Sequence, residues 1–194
     1  RLASDLGLFG WENDLWDSAE SHINPTTTVM AFAATDWPQP PSDPQELDQW
    51  KEGTRAEIGT VLQRRAGLAL ASTRRGRQLP QPFIGRLVSS AAELVVNSHL
   101  HGGSGAFVGI QNLGTRIKIA VSDCGVGFLA AMTNPNWIRR RTQSLSLVPT
   151  TNLEALLIGS LVNSEILGLR RIIGEVVKRN GTVVLSSFDS DIVW

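Results

Sequence analysis

Residues 83–103, FIGRLVSSAAELVVNSHLHGG, narrow most sharply what this chain can fold into. Each residue of an α-helix advances about 100° around the axis. On that wheel Phe83, Leu87, Val88, Ala91, Leu94 and Val95 form one broad apolar arc. A helix from about 83 to 101 with such an arc needs a second layer to cover it. The next segment, GAFVGIQNLGTRIKIAVSD, supplies one. In RIKIAV polar and apolar residues alternate, with Ile117, Ile119 and Val121 on one face, as in a half-buried strand. NLGT at 112–115 is the natural turn of a hairpin. Helices are expected around 151–162 and over 168–181, the second ended by Asn180 and Gly181, followed by a strand over TVVLSS, 182–187. Helices on one face of a mostly antiparallel mixed sheet predict an α+β fold with two layers.

Upstream of residue 80 the pattern is less regular. Four of the six tryptophans, Trp11, Trp16, Trp37 and Trp50, lie there among acids and prolines. TDWPQPPSDP at 35–44 must be extended or turning, because proline removes a donor and restricts the residue before it. A helix over about 44–70 follows. Asp43 can cap it, Pro44 occupies the first helical position and Glu46 has capping-box spacing. Leu47, Trp50, Ile58, Val61 and Leu62 are its expected apolar face. TRRGRQLPQP at 73–82 reads as a solvated basic loop. The layout expected is an N-terminal extension, 1–80, with one helix, and a domain over 81–194.

A chain of 194 residues is long enough to bury a substantial core. Its 18 basic and 18 acidic residues cancel, which disfavours broad electrostatic attachment to nucleic acid or an acidic membrane. No apolar run approaches the roughly 18 residues of a membrane span. The single cysteine, Cys124, excludes an internal disulfide framework and fits a reducing compartment such as the cytoplasm. It reads as a small turn residue, since nothing adjacent in sequence would activate its thiol. The chain opens on Arg1 without a signal-peptide pattern, as a fragment or trimmed chain would.

The polar residues of the leading helix are unusual. Glu93, Asn97 and His101 recur at i, i+4 intervals and fall within roughly 80° of one another, at the edge of the apolar arc. HGGSG then lets the chain turn tightly or a ligand approach its backbone. His99 lies on the opposite flank and reads as structural. Beyond the hairpin, VSDCGVGF carries Asp123 out of a strand into a turn containing Gly125 and Gly127. That carboxylate could accept a hydrogen bond from a ligand amine. In ILGLRRIIGEVV a third element opens a helix at Gly168, where exposed N–H groups suit a phosphate.

In this order, ELVVNSHLHGG, VSDCGVGF and the helix led by Gly168 resemble the N box and the two glycine boxes of the GHKL ATPase superfamily. That superfamily groups gyrase-type and mismatch-repair ATPases, histidine kinases and anti-sigma-factor serine kinases. The resemblance covers about residues 80–194 and is closest to the anti-sigma-factor kinase-like and stand-alone bacterial ATP-binding regulators. It implies a Bergerat-type two-layer α/β sandwich that binds ATP and Mg²⁺. It further implies Asn97 as a Mg²⁺ ligand, Glu93 as the general base, and Asp123 as the reader of the adenine amino group. Gly125 and Gly127 become the turn beneath the base, Gly168 and Leu169 the phosphate-side box, and His101 a branch-typical residue beside the nucleotide. A regulatory protein partner is implied, and a homodimer is compatible with it.

Three features separate the chain from relatives of that kind. A two-component kinase is disfavoured, because Glu93 stands where sensor kinases carry Asn and His22 lacks the phosphoacceptor context. The second glycine box reads Ile166-Leu167-Gly168-Leu169 and lacks its first glycine, which favours slow turnover or nucleotide binding without turnover. Arg139, Arg140 and Arg141 could reach a γ-phosphate or form a solvated patch. The chain ends at FDSDIVW, leaving little length for the usual last strand. The functions expected are therefore a Mg²⁺-dependent ATPase or serine/threonine kinase acting on a protein, or a nucleotide-binding interaction module.

Overall fold

The computed structural model describes residues 27–71, 81–112, 117–134, 148–161 and 168–194. Contacts divide the chain between Cys124 and Gly125 into two compact units. The mixed α+β class expected from the sequence is present, built on two small antiparallel sheets.

The first unit contains a three-stranded sheet in the order β1 (Thr27–Phe32), β2 (Ala106–Asn112), β3 (Ile117–Asp123), with both pairings antiparallel. Helices α1 (Pro44–Ala71) and α2 (Gln81–Asn97) pack on each other and on this sheet, α1 against β1 and β2, and α2 against β2 and β3. Directly paired residues share a face. One face therefore carries the rows Met30–Val108–Val121 and Phe32–Ala106–Asp123. Phe32, Ala106, Val108 and Ile110 of this face join Ile58 and Leu62 of α1 and Ile84, Val88, Ala91, Ala92, Val95 and Val96 of α2 in one core.

Local chemistry sets the ends of these helices. At α1, the Asp43 carboxylate accepts from the backbone N–H groups of Gln45 (2.9 Å) and Glu46 (3.1 Å), so Asp43 is the cap expected. Its buried face runs through Leu47, Thr54, Ile58 and Leu62, whereas Val61 is 45% exposed and Trp50 half-buried. Val61 thus falls off the expected face, about 100° around the helix from Leu62. α2 begins at Gln81, within the segment expected to be a loop. Pro82 is tolerated there because first-turn N–H groups have no partner in the helix. The buried stripe of α2 is centred on Ile84, Val88, Ala92, Val95 and Val96, rotated from the expected arc, so Phe83, Leu87 and Leu94 are only half-buried. Strand β1 lies in a region that looked irregular in sequence. The hairpin pairing of β2 with β3 is present, while most of its NLGT turn falls outside the described residues, as do Arg139–Arg141, Ile166, Leu167 and His22.

The second unit contains α3 (Gly127–Thr133), α4 (Asn152–Leu161), α5 (Gly168–Val177) and the hairpin β4 (Val184–Ser187)–β5 (Ser190–Val193). The last strand, for which the sequence seemed too short, is made by SDIV itself. Pairing extends one step further through reciprocal backbone bonds between Val183 and Trp194. α5 ends as expected: Asn180 takes a left-handed φ of 56°, and the Gly181 N–H donates to the Val176 carbonyl at 3.0 Å. Gly127 has φ +76°, and the Phe188 ring occupies the space that a β-carbon would need there.

Two carboxylates lock the start of α4. Glu154 accepts from the backbone N–H (2.7 Å) and hydroxyl (2.8 Å) of Thr150, which hold its carboxyl below the usual carboxylate range. Asp189, in the β4–β5 turn, accepts from the Asn152 side-chain amide at 2.9 Å, and that bond likewise lowers its pKa. Folded-state values below the unfolded ones mean that their stabilisation is complete above the unfolded pKa, near about 4. It is lost as pH falls through the folded values. The Glu154→Gln/Asp189→Asn double variant is therefore expected to lose thermal stability less steeply than wild type between about pH 5 and pH 2. Melting curves across that range, with parallel acid limbs as the contrary result, check this.

Candidate functional site

The C-terminal end of α2 is where the sequence motif meets an unusual backbone. The α-helix stops at Asn97, and Ser98–Gly102 forms a π turn closed by the Gly103 N–H donating to the Ser98 carbonyl. Gly103 takes φ 63°, a left-handed conformation that favours glycine. Wide turns of this kind occur where helices end. The wider turn also changes the geometry assumed from the sequence. From Asn97 onward an i, i+4 interval no longer corresponds to α-helical spacing, so His101 is not the simple continuation of the Glu93–Asn97 strip.

Ser98 is the residue that ties this turn to the sheet. Its hydroxyl lies 2.9 Å from the Leu94 carbonyl and 3.2 Å from Oδ2 of Asp123. One proton serves both acceptors, so the shorter bond anchors the serine to its own helix while the longer reaches the carboxylate. The sheet register cooperates: Asp123 pairs with Ala106, in the row of Phe32, on the helix-covered face. Asp123 is nonetheless exposed, because it is the last residue of β3. A solvent-accessible carboxylate is thereby held at the junction of a helix end and a strand end.

Glu93, Asn97 and His101 are all half-buried. The Glu93 carboxylate accepts from Nη1 of Arg55 on α1 at 3.0 Å, with the Glu93 side chain 20% and the Arg55 side chain 40% exposed. A carboxylate offers about four lone-pair positions. One charge-assisted bond therefore orients Glu93 without exhausting its capacity to accept. Among the described residues no group of three or more His, Cys, Asp or Glu side chains could hold a metal ion by itself. The half-buried Asn97 side-chain amide stands at the last α-helical position.

The other expected site residues belong to the second unit. Gly125 is half-buried, Gly127 opens α3 and Gly168 opens α5. The Leu169 side chain is 3% exposed and packs in that unit's core, so any ligand contact from it would be through backbone. Cys124 is exposed and free. Sequence reading overlooked Ser98 and Arg55. Ser98 stands beside Asn97 in the motif and could have been found from its facing of the sheet. Arg55 carries no local signal, because α1 meets α2 only in the tertiary structure.

No protein-family model matches the chain, and neither does any curated protein or solved structure. Among the described residues no helix is long and apolar enough to cross a membrane.

A partly exposed ion pair contributes modestly, because solvent screens it and both side chains lose freedom. A double-mutant cycle of Arg55→Ala and Glu93→Ala, read by urea unfolding, is expected to give a coupling energy of about 0.2–1 kcal/mol. A coupling of several kcal/mol would mark a pair shielded from water, contrary to the observed exposure.

Proposed function

We propose that this chain is an ATP-binding regulator of the GHKL type. Its Bergerat-type sandwich would hold Mg-ATP, and it would hydrolyse ATP or transfer the γ-phosphate to a Ser or Thr of a protein partner in the cytoplasm. The observation that carries this reading is the Ser98–Asp123 hydrogen bond, which joins the end of the N-box-like helix to the aspartate of D-C-G-V-G. Without that junction the two motifs would be unrelated stretches of polar residues.

The roles follow from the chemistry of the side chains. Asp123, an exposed acceptor at a strand end, receives the adenine amino group. The Asn97 amide oxygen would hold Mg²⁺, which would supply positive charge to neutralise the phosphates. Glu93, oriented by Arg55, removes the proton from a water or a substrate hydroxyl as that oxygen attacks the γ-phosphorus and ADP departs. His101 lies in the π turn, with no chemical step assigned to it.

Binding without turnover is the second reading. It is favoured by the engagement of Glu93 with Arg55, since a base already bonded to a cation has less freedom to reach a proton. Ile166, in place of the first glycine of the second box, points the same way.

Calorimetric titration with Mg-ATP, followed by a phosphate-release assay, separates these readings. The expected result is saturable ATP binding that Glu93→Ala preserves, with turnover reduced by about 10²–10⁴-fold. Unchanged turnover in that variant would remove Glu93 from the mechanism. Binding with no wild-type turnover would select the second reading, and no ATP binding at all would overturn both.

A further inference from the structure

His99 is 7% exposed, and neither Nδ1 nor Nε2 has a hydrogen-bond partner among the described residues. More than about nine in ten buried polar groups in folded proteins are satisfied, so a ring with two orphaned nitrogens calls for a partner from outside the chain. The ring is held where it stands. It lies against Trp50 with centroids 5.5 Å apart and planes at 34°, and the Trp50 indole N–H donates to the Pro38 carbonyl at 2.9 Å.

The cavity that His99 lines in the first unit decides what that partner can be. Its volume is about 10 Å³. One water needs roughly 10–15 Å³, so nothing larger enters. Thr54 lines the same cavity. Trp50, Thr54 and Ile58 recur at i, i+4 on one face of α1, so Thr54 lies one helical turn beyond the tryptophan that touches the imidazole. It is 6% exposed, a polar group in the otherwise apolar line of Leu47, Ile58 and Leu62. Ser104 lines the cavity from the chain that follows the π turn. Its hydroxyl donates to the Gly105 carbonyl at 3.1 Å, which leaves lone pairs on its oxygen to accept. None of the lining residues is Asp, Glu, Lys or Arg, so nothing there offsets the burial of an ion.

We infer that this cavity is the site of one ordered water that bridges the His99 ring to the Thr54 hydroxyl, with the Ser104 hydroxyl as its third partner. Buried waters make about three hydrogen bonds, and these three groups supply them. A neutral imidazole has one donor and one acceptor, and water can meet either. The bridge ties the π turn to α1. His99 directly follows Ser98, so the water helps to position the backbone that presents Ser98 to Asp123. That role belongs to the fold of the first unit and stands independently of the nucleotide reading.

Water-selective NOESY and ROESY spectra of the full chain test the site directly. The expected result is a cross-peak between water and the carbon-bound ring protons of His99, opposite in sign in the two spectra, as a long-lived water gives. Thr54→Val keeps the shape of the side chain and removes the hydroxyl. It is expected to lose the cross-peak and to speed hydrogen exchange of the Gly103 amide, which donates to the Ser98 carbonyl, by about tenfold. Thr54→Ser is expected to keep both at their wild-type values, and Thr54→Ala replaces the valine variant should that one fail to fold. A wild-type His99 ring without the water cross-peak would overturn the site. A cross-peak that survives removal of the Thr54 hydroxyl would overturn the bridge.

Discussion

The register of β2 against β3 is the constraint on which the first unit depends. β2 is the central strand, and Ala106, Val108 and Ile110 on its inner face are each 2% exposed or less. With that set held against α1 and α2, a slip of one residue would turn Ile117, Ile119 and Val121 of β3 away from them. The same slip would carry Asp123 to the opposite face, out of reach of Ser98. One pairing decision thus fixes both the core and the carboxylate to which a function is assigned. Burial of the apolar residues supplies the energy, and the polar junction is placed by it at little additional cost.

Local features were legible in the sequence because their causes are local. Asp43 caps α1 through its own next residues, and Asn180 with Gly181 ends α5 through backbone preferences that need no distant partner. Alternation in RIKIAV announced β3 for the same reason. What the sequence concealed depends on partners elsewhere in the chain. TTVMAF becomes a strand because β2 offers it an edge, although its proline- and tryptophan-rich surroundings look irregular. The buried face of α1 runs through Thr54 rather than Val61, since the line of contact with the sheet, not hydrophobicity alone, selects it.

The candidate site shows the same division. Asn97, Asp123 and Glu93 stood out by residue type and spacing, but the contacts that position them did not. The wheel treated residues 83–101 as one uniform α-helix, whereas the backbone changes to a π turn at Ser98. Ser98 bonding back to Leu94 accompanies that change, and its second acceptor, Asp123, comes from another element. Arg55 reaches Glu93 across a helix–helix interface that no local pattern encodes. His99 is buried against Trp50, and its two unsatisfied nitrogens could be recognised only in the tertiary structure.

The central claim is that the carboxylate of Asp123 reads the amino group of adenine. Competition between ATP and inosine triphosphate tests it most directly, because inosine triphosphate replaces that amino group with a carbonyl and carries a proton on the adjacent ring N1. A site built around an acceptor rejects a ligand that presents a second acceptor. The account predicts that the wild-type chain binds ATP at least about tenfold more tightly than inosine triphosphate, a difference of about 1.4 kcal/mol, and that Asp123→Asn narrows the gap. Equal affinity for the two nucleotides in the wild-type chain would contradict it.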